Sequence, residues 1–463
     1  MTTTEPPGPS TPTPTTRTAT AAPAGPAGPV PAAELARLAE LYLDLHQHPE
    51  LSGAERRTAA RLADHLAADG YAVTRGVGGH GVVGVLRNGP GPVVLLRTEL
   101  DALPVLEDTG LPYASTVTAP GPDGAPVPVM HACGHDVHLA CAAGAATALA
   151  AAAGDWSGTL VLVGQPAEET LTGAAAMLAD GLYERFPAPD VVLAQHAVPL
   201  PAGMVAHADG PLLAASATVE VVLHGRGGHA ATPQFAVDPV VTAAATVLRL
   251  QTVVSRETGP GEPLVLTVGA LRAGGAGNVI ADRATMEVTV RAFSPAVLDR
   301  ALAAVRRIVR AESAASGDVP EPEVREVSRS GPTAGDPGVT AVVRRAHQAV
   351  FGPQRVARWQ PSMATEDFPL LGPQGIALHG VEGIRAGYWM LGTVGPAQWA
   401  AAGEDAAQRL AALPGNHSPR FRPQVRLTLE TGVRALTAAA RAHLADPAGS
   451  VKVASESPSA VEG

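Results

Sequence analysis

The sequence predicts an α/β protein built on a mixed sheet, with a smaller α+β unit of one sheet and two helices inserted into it. Three observations predict this. Buried runs such as "GTLVLVGQPAEE" and "DVVLAQHAV" alternate with helical stretches and end in polar residues, an order that builds a sheet covered by helices. From about Ala215 the pattern changes to alternating strands, as in "SATVEVVLHG" and "ATMEVTVRAF", separated by amphipathic helices. A chain of 463 residues is also too long for one ordinary core.

The elements follow in order. Residues 1–32 are mostly Pro, Thr, Ala and Gly, and no apolar run there could form a signal-peptide core or membrane span, so a disordered tail is expected. Leu35, Leu38, Leu41 and Leu45 recur at helical spacing through Ala33–His46. "HQHPELSGAE" interrupts, and a second helix ends at Gly70. Strands at "YAVTRG", "GVVGVL" and "PVVLLRTELDALPV" precede an Ala-rich helix from about Val137 to Ala153, and the two buried strands come next. The insertion, residues 213–324, contributes strand, helix (Asp238–Gln251), two strands and helix (Ser294–Ala314), after which "ASGDVPEPEVREV" leads back. "MATEDFPLL", "AGYWMLGTV" and "LPGNHSPRF" resume the first pattern, so residues 33–212 and 325–446 form one domain, and 447–463 read as a second tail.

Composition removes several classes of function. The net charge of -10 comes with no basic run, which argues against nucleic-acid or acidic-membrane partners. Lys452 is the only lysine and lies in the tail, so Schiff-base chemistry and a phosphate-cradling P-loop lack their amine. Cys133 and Cys141 sit too close in sequence for a useful disulfide framework, and a reducing, cytoplasmic setting is expected. No G-x-S-x-G occurs, which leaves a serine nucleophile elbow without support.

What remains is an inventory for metal ions. Cys133 and His135 lie two apart in "MHACGHDVH", and Glu168-Glu169, His196 and His417 follow. A thiolate and imidazoles suit zinc or a similar divalent ion, while a carboxylate pair can supply one ligand and one general base. If Glu168 and Glu169 continued their strand they would face opposite ways, one ligating and one facing the cavity. His196 is read as ending its strand. Asp136 is read either as an acceptor for a ligand histidine or as a helix cap.

"HQHPELSGAE", "RTELDALP", "MHACGHDVH", "QPAEE" with "GAAAML", "QHAVPLPAG", "GRGGHAATP", "NVIAD", "TEDF" and "NHSPRF", in this order, resemble the amidohydrolase branch of the zinc aminoacylase and carboxypeptidase superfamily from about Ala33 to Leu444. The resemblance implies that the mixed-sheet domain is a metallohydrolase catalytic domain and that the insertion is a dimerisation or lid domain. It implies two divalent ions per subunit, Zn²⁺ or Mn²⁺ with Co²⁺ or Ni²⁺ as further options, a bridging Cys133, and His135, Glu169, His196 and His417 as the other ligands. Glu168 would be the general base acting on metal-activated water, and His229 would reach the partner subunit's site to stabilise an oxyanion.

Asn278 would assist substrate binding, and Arg291 either receives a substrate carboxylate or forms a structural ion pair. Asp101 would orient a ligand histidine. The expected reaction is hydrolysis of a small N-acyl amino acid to a carboxylic acid and a free amino acid. A dipeptidase or carboxypeptidase is the near alternative, and a non-catalytic binding protein on the same fold the further one. Two residues depart from the pattern: Glu99 stands where Asp is usual, and Gln234 where histidine is usual.

Overall fold

The structure, a computed structural model, describes residues 28–121 and 124–445. The expected tails fall almost wholly outside these residues.

An eight-stranded mixed sheet carries the larger part of the chain. Its strands are β1 (Ala72–Val77), β2 (Gly81–Asn88), β3 (Val93–Glu99), β4 (Gly158–Gln165), β5 (Val191–Pro201), β6 (Val205–His207), β11 (Val356–Arg358) and β12 (Arg385–Val394), in spatial order β1-β2-β4-β3-β5-β12-β6-β11. The centre, β4-β3-β5-β12, is parallel. Neighbouring side chains on these strands enter different cores. Val94, Leu96, Leu160, Leu162, Val191 and Leu193 join one cluster, while Leu95, Val161, Val163, Val192 and Ala194 join another on the opposite face. A strand buried on both faces needs apolar residues at every position, which is why these runs do not alternate in polarity.

Helices α1 (Ala32–Gln47), α2 (Arg56–Ala68), α3 (His135–Ala151), α6 (Pro337–Phe351) and α7 (Val425–Arg441) cover the first face. α3 is central among them, and its small residues permit tight packing: a Cβ on Gly144 would stand 2.5 Å from Leu38 Cδ1 and 2.6 Å from Val433 Cγ2. Among the described residues no helix is long and apolar enough to cross a membrane.

The second sheet holds β7 (Ala215–His224), β8 (Leu264–Ala273), β9 (Arg283–Ala292) and β10 (Glu323–Ser330), antiparallel, in the order β8-β9-β7-β10. Here polarity does alternate, because one face alone packs on α4 (Pro239–Arg256) and α5 (Pro295–Ser316). The sequence between β6 and β11 therefore contains a separate two-layer unit with its own core.

Two expectations are corrected. "EVREVSRS" does not merely lead back but pairs with β7 as β10, so the small sheet runs past the expected boundary at 324 to Ser330. β3 stops at Glu99 rather than running on through "LDALPV", since only single bridges at Ala102 and Leu103 follow.

Candidate metal centre

The turn before α3 brings Cys133 and His135 together. Gly134 sits at φ +85, and a Cβ there would stand 3.1 Å from Ala197 Cβ and 3.2 Å from Phe421, so the turn favours glycine. His135 opens α3, and its Nδ1 lies 2.9 Å from the Asp101 carbonyl oxygen and 3.3 Å from the Asp101 carboxylate. That contact fixes a proton on Nδ1 and leaves Nε2, buried and without a hydrogen-bond partner, as the atom able to ligate. His196 Nδ1 donates to the Ala197 carbonyl at 2.8 Å, which turns its Nε2 toward Cys133 Sγ at 3.5 Å. His417 arrives from the segment before α7, its amide held by the Ala132 carbonyl at 2.8 Å and its Nε2 3.3 Å from Glu169 Oε2.

Two triads result. One ligand atom from each of Cys133, His135 and His196 lies within 4.8 Å of the others, and the same holds for Cys133, Glu169 and His417. Cys133 belongs to both. Glu168 belongs to neither, but it groups with His135 and Glu169 on one side and with Glu366 and Asp367 on the other. The cysteine, Glu168, Glu169, His196 and His417 line one part of a cavity of about 520 Å³, with Arg291 also in its wall.

Electrostatics support cations in these triads. Burial, then the carboxylates of Glu169 and Glu168, push the Cys133 thiol well above its usual range, so a thiolate there requires positive charge beside it. Burial opposes charge on His135, but the Asp101 hydrogen bond and Glu99 outweigh it and raise the imidazole to about 10. Burial and then His138 lower His196 to about 4, leaving it neutral and ready to ligate. Burial, Glu366 and Glu169 drive Glu168 well above the carboxylate range. His135 Nε2 and Glu169 Oε1 are buried without partners, and the donor set is one thiolate, three imidazoles and a carboxylate. These residues fit a pair of divalent cations.

Backbone strain marks the same place. Among the described residues the only non-glycine positions at positive φ are Ala167 (+48), Leu171 (+55) and His417 (+67). Leu171 and His417 line the cavity, and Ala167 precedes the glutamate pair. Such conformations persist where the surroundings over-determine them.

Several placements differ from the sequence reading. Glu168 and Glu169 lie in a turn beyond β4, not on it, so strand alternation does not apply and both carboxylates reach the cavity. His196 is mid-strand, paired with Met390 of β12, rather than at a strand end. Asp136 accepts from His46 at 2.7 Å and from the Val137 amide, so its histidine partner is not one of the triad residues. Arg291 forms no ion pair among the described residues; it donates to the Met363 carbonyl at 2.6 Å. His229 and Asn278 are exposed in the small unit, beside the bridge between Gly228-His229 and Val279-Ile280, and do not line this chain's cavity. Gln234 is exposed as well.

The sequence reading assigned no role to the buried ion network beneath the site. Arg97 donates to Glu99, to Glu366 at 2.7 Å, to Asp367 at 3.0 Å and to Gln165 at 2.9 Å. The other Glu99 oxygen receives Nδ1–H of His138 at 2.8 Å, whose Nε2 accepts the Ala197 amide at 2.7 Å. The network thus joins the end of β4 to the strand that carries His196. "RTEL" and "TEDF" were its only sequence signals. Asn416 was missed too: it donates to the Cys133 and Ala197 carbonyls at 3.0 and 2.9 Å and so ties His417 to the cysteine turn.

The chain is similar to known proteins. The chain is 34% identical over 358 residues to N-acetyl-L-cysteine deacetylase of Bacillus subtilis, spanning 77% of this chain and 80% of that one. It is 40% identical over 251 residues to hippurate hydrolase of Campylobacter jejuni, 54% of this chain and 62% of that protein. The crystal structure of the Bacillus subtilis YXEP protein, a dinuclear metal-binding peptidase of the M20 family, superposes with a TM-score of 0.67 at 26% identity, covering 89% of this chain and 99% of that one. Residues 95–405, which carry Cys133, His135, the glutamate pair and His196, match the model of peptidase family M20/M25/M40, and the chain belongs to that family.

Proposed function

We propose that the protein is a metal-dependent amidohydrolase that cleaves the amide bond of N-acyl amino acids to give a carboxylic acid and a free amino acid. One observation carries this reading: Cys133 is shared by two ligand triads, with the carboxylate of Glu168 beside them but outside both. His135 and His196 would complete one cation site with Cys133, and Glu169 and His417 the other. Zn²⁺ and Mn²⁺ suit this donor set best, and Co²⁺ or Ni²⁺ are compatible with it. Such ions, when bound, lower the pKa of water and polarise a carbonyl.

The chain's own groups do the rest. Glu168 takes the proton of the attacking water and hands it to the leaving amine, a double task suited to a carboxylate whose proton affinity is raised. Arg291 faces the same cavity with no acidic partner among the described residues and receives the substrate's free carboxylate. Arg291→Met is therefore expected to raise KM for N-acyl amino acids about 10- to 100-fold, the worth of a hydrogen bond to a charged group. Against the corresponding N-acyl amino amides, which lack the carboxylate, it should change KM little. A panel of N-acetyl, N-benzoyl and long-chain acyl amino acids beside dipeptides tests the reaction itself; turnover of dipeptides alone would point to a peptidase.

The small unit also has the surface of an interface. β8 is an open sheet edge, and Val265, Leu271, Val241 and Leu248 on β8 and α4 are exposed. Unpaired edges and apolar faces favour association, and a second copy would bring the exposed His229 toward its partner's cavity. Mixing inactive Glu168→Gln with inactive His229→Ala protein under subunit exchange should then restore part of the activity. No recovery in verified mixed dimers would place His229 outside the partner's chemistry.

A further inference from the structure

We propose that Glu55 is a positioning residue for the base, its buried carboxylate holding the left-handed Ala167 turn that presents Glu168; this rests on the reading of Glu168 as the base. Glu55 precedes α2 and is fully buried. Its Oε1 accepts two amides, Gly53 at 2.7 Å and Ala167 at 2.9 Å. The bond therefore crosses from the "HPELSGAE" loop to the residue directly before the base. A second link runs in parallel: Ser52 donates to Asp101 Oδ2 at 2.7 Å, and the same oxygen accepts the Glu169 amide at 2.9 Å.

Two features make the first link important. No side chain among the described residues donates a hydrogen bond to the Glu168 carboxylate, and His135 Nε2, at 3.7 Å, is beyond reach. Its place is inherited from its backbone. That backbone is strained at Ala167, where φ is +48. A left-handed conformation is disfavoured for an L-residue, and without a partner for its amide Ala167 has a reason to leave it. Glu55 Oε2 makes no hydrogen bond, so one acceptor oxygen is all the clamp uses.

The test is a cycle of Glu55→Ala, Glu55→Gln, Ala167→Gly and Glu55→Ala/Ala167→Gly in cation-loaded protein, reading kcat, KM, cation content and hydrogen exchange at the Ala167 amide. Glu55→Ala should lower kcat by about tenfold to a hundredfold, the effect of a small misplacement, with KM and cation content unchanged. The Ala167 amide should exchange faster. Glu55→Gln, which keeps the acceptor oxygen, should retain most of the rate. Glycine adopts this φ without strain, so Ala167→Gly should recover much of the rate lost in Glu55→Ala. If Glu55→Ala does not fold, Glu55→Asp, whose shorter stem withdraws the oxygen, carries the same expectation.

An unchanged kcat, a loss that the added Ala167→Gly change does not reduce, or a loss that follows departed cations would overturn the clamp. If the wild-type chain hydrolysed no amide, the base reading would fail, whereas exchange at Ala167 would still show whether Glu55 holds the turn.

Discussion

Glu168→Gln should lower kcat by about 10²- to 10⁴-fold, the usual share of general acid–base catalysis, while leaving cation content and KM close to wild type. Glutamine has the same shape and cannot accept the proton of water. On the proposed assignment Glu168 lies outside both triads that share Cys133, so its replacement should remove no ligand. Folding should not suffer either. Burial first, then the charges of Glu366, Glu169 and Asp367, disfavour a charged carboxyl at Glu168, so an uncharged amide suits the place and thermal stability should hold or rise. Steady-state kinetics with elemental analysis and a melting curve check all three. A variant that keeps a tenth of the wild-type kcat would place the base elsewhere.

Removing the cations should abolish turnover, and returning Zn²⁺ or Mn²⁺ should restore it. The stripped site must meet its own charges with protons. Burial and the glutamates hold a proton on Cys133, and Asp101 with Glu99 holds one on His135. Cations displace both, so loading should release protons and weaken as pH falls. Cys133→Ser should lower cation content markedly, because a neutral hydroxyl replaces a thiolate common to both triads. Normal content in that variant would make the cysteine structural.

Much of the candidate site is legible in the sequence because its candidate ligands cluster in short segments. "HACGHD" encodes a tight turn through one glycine, and the glutamate pair follows a run too apolar to be anything but a buried strand. Periodicity also separated the two sheets, since one is buried on both faces and the other on one. It failed where tertiary contacts decide. β10 reads as charged linker because Glu323, Arg325, Glu326 and Arg329 fill half of it, and only its pairing with β7 makes it a strand.

The sequence puts the glutamates on opposite faces because the turn after β4, with Ala167 left-handed, carries no glycine to signal it. Arg97, Glu366 and Asp367 come from segments some 270 residues apart, and no local pattern announces that they meet. His229 and Asn278 were named from the resemblance alone, and within one chain they stay at the surface.

The most direct test is a titration of stripped protein with Zn²⁺ or Mn²⁺ while the release of free amino acid from an N-acyl amino acid is followed. Two equivalents per chain should bind, amide hydrolysis should appear with loading, and Cys133→Ser should fail to reach the same content. Full hydrolysis by protein shown to be metal-free, or saturation at one equivalent in both wild type and Cys133→Ser, would contradict a two-cation centre bridged by that cysteine.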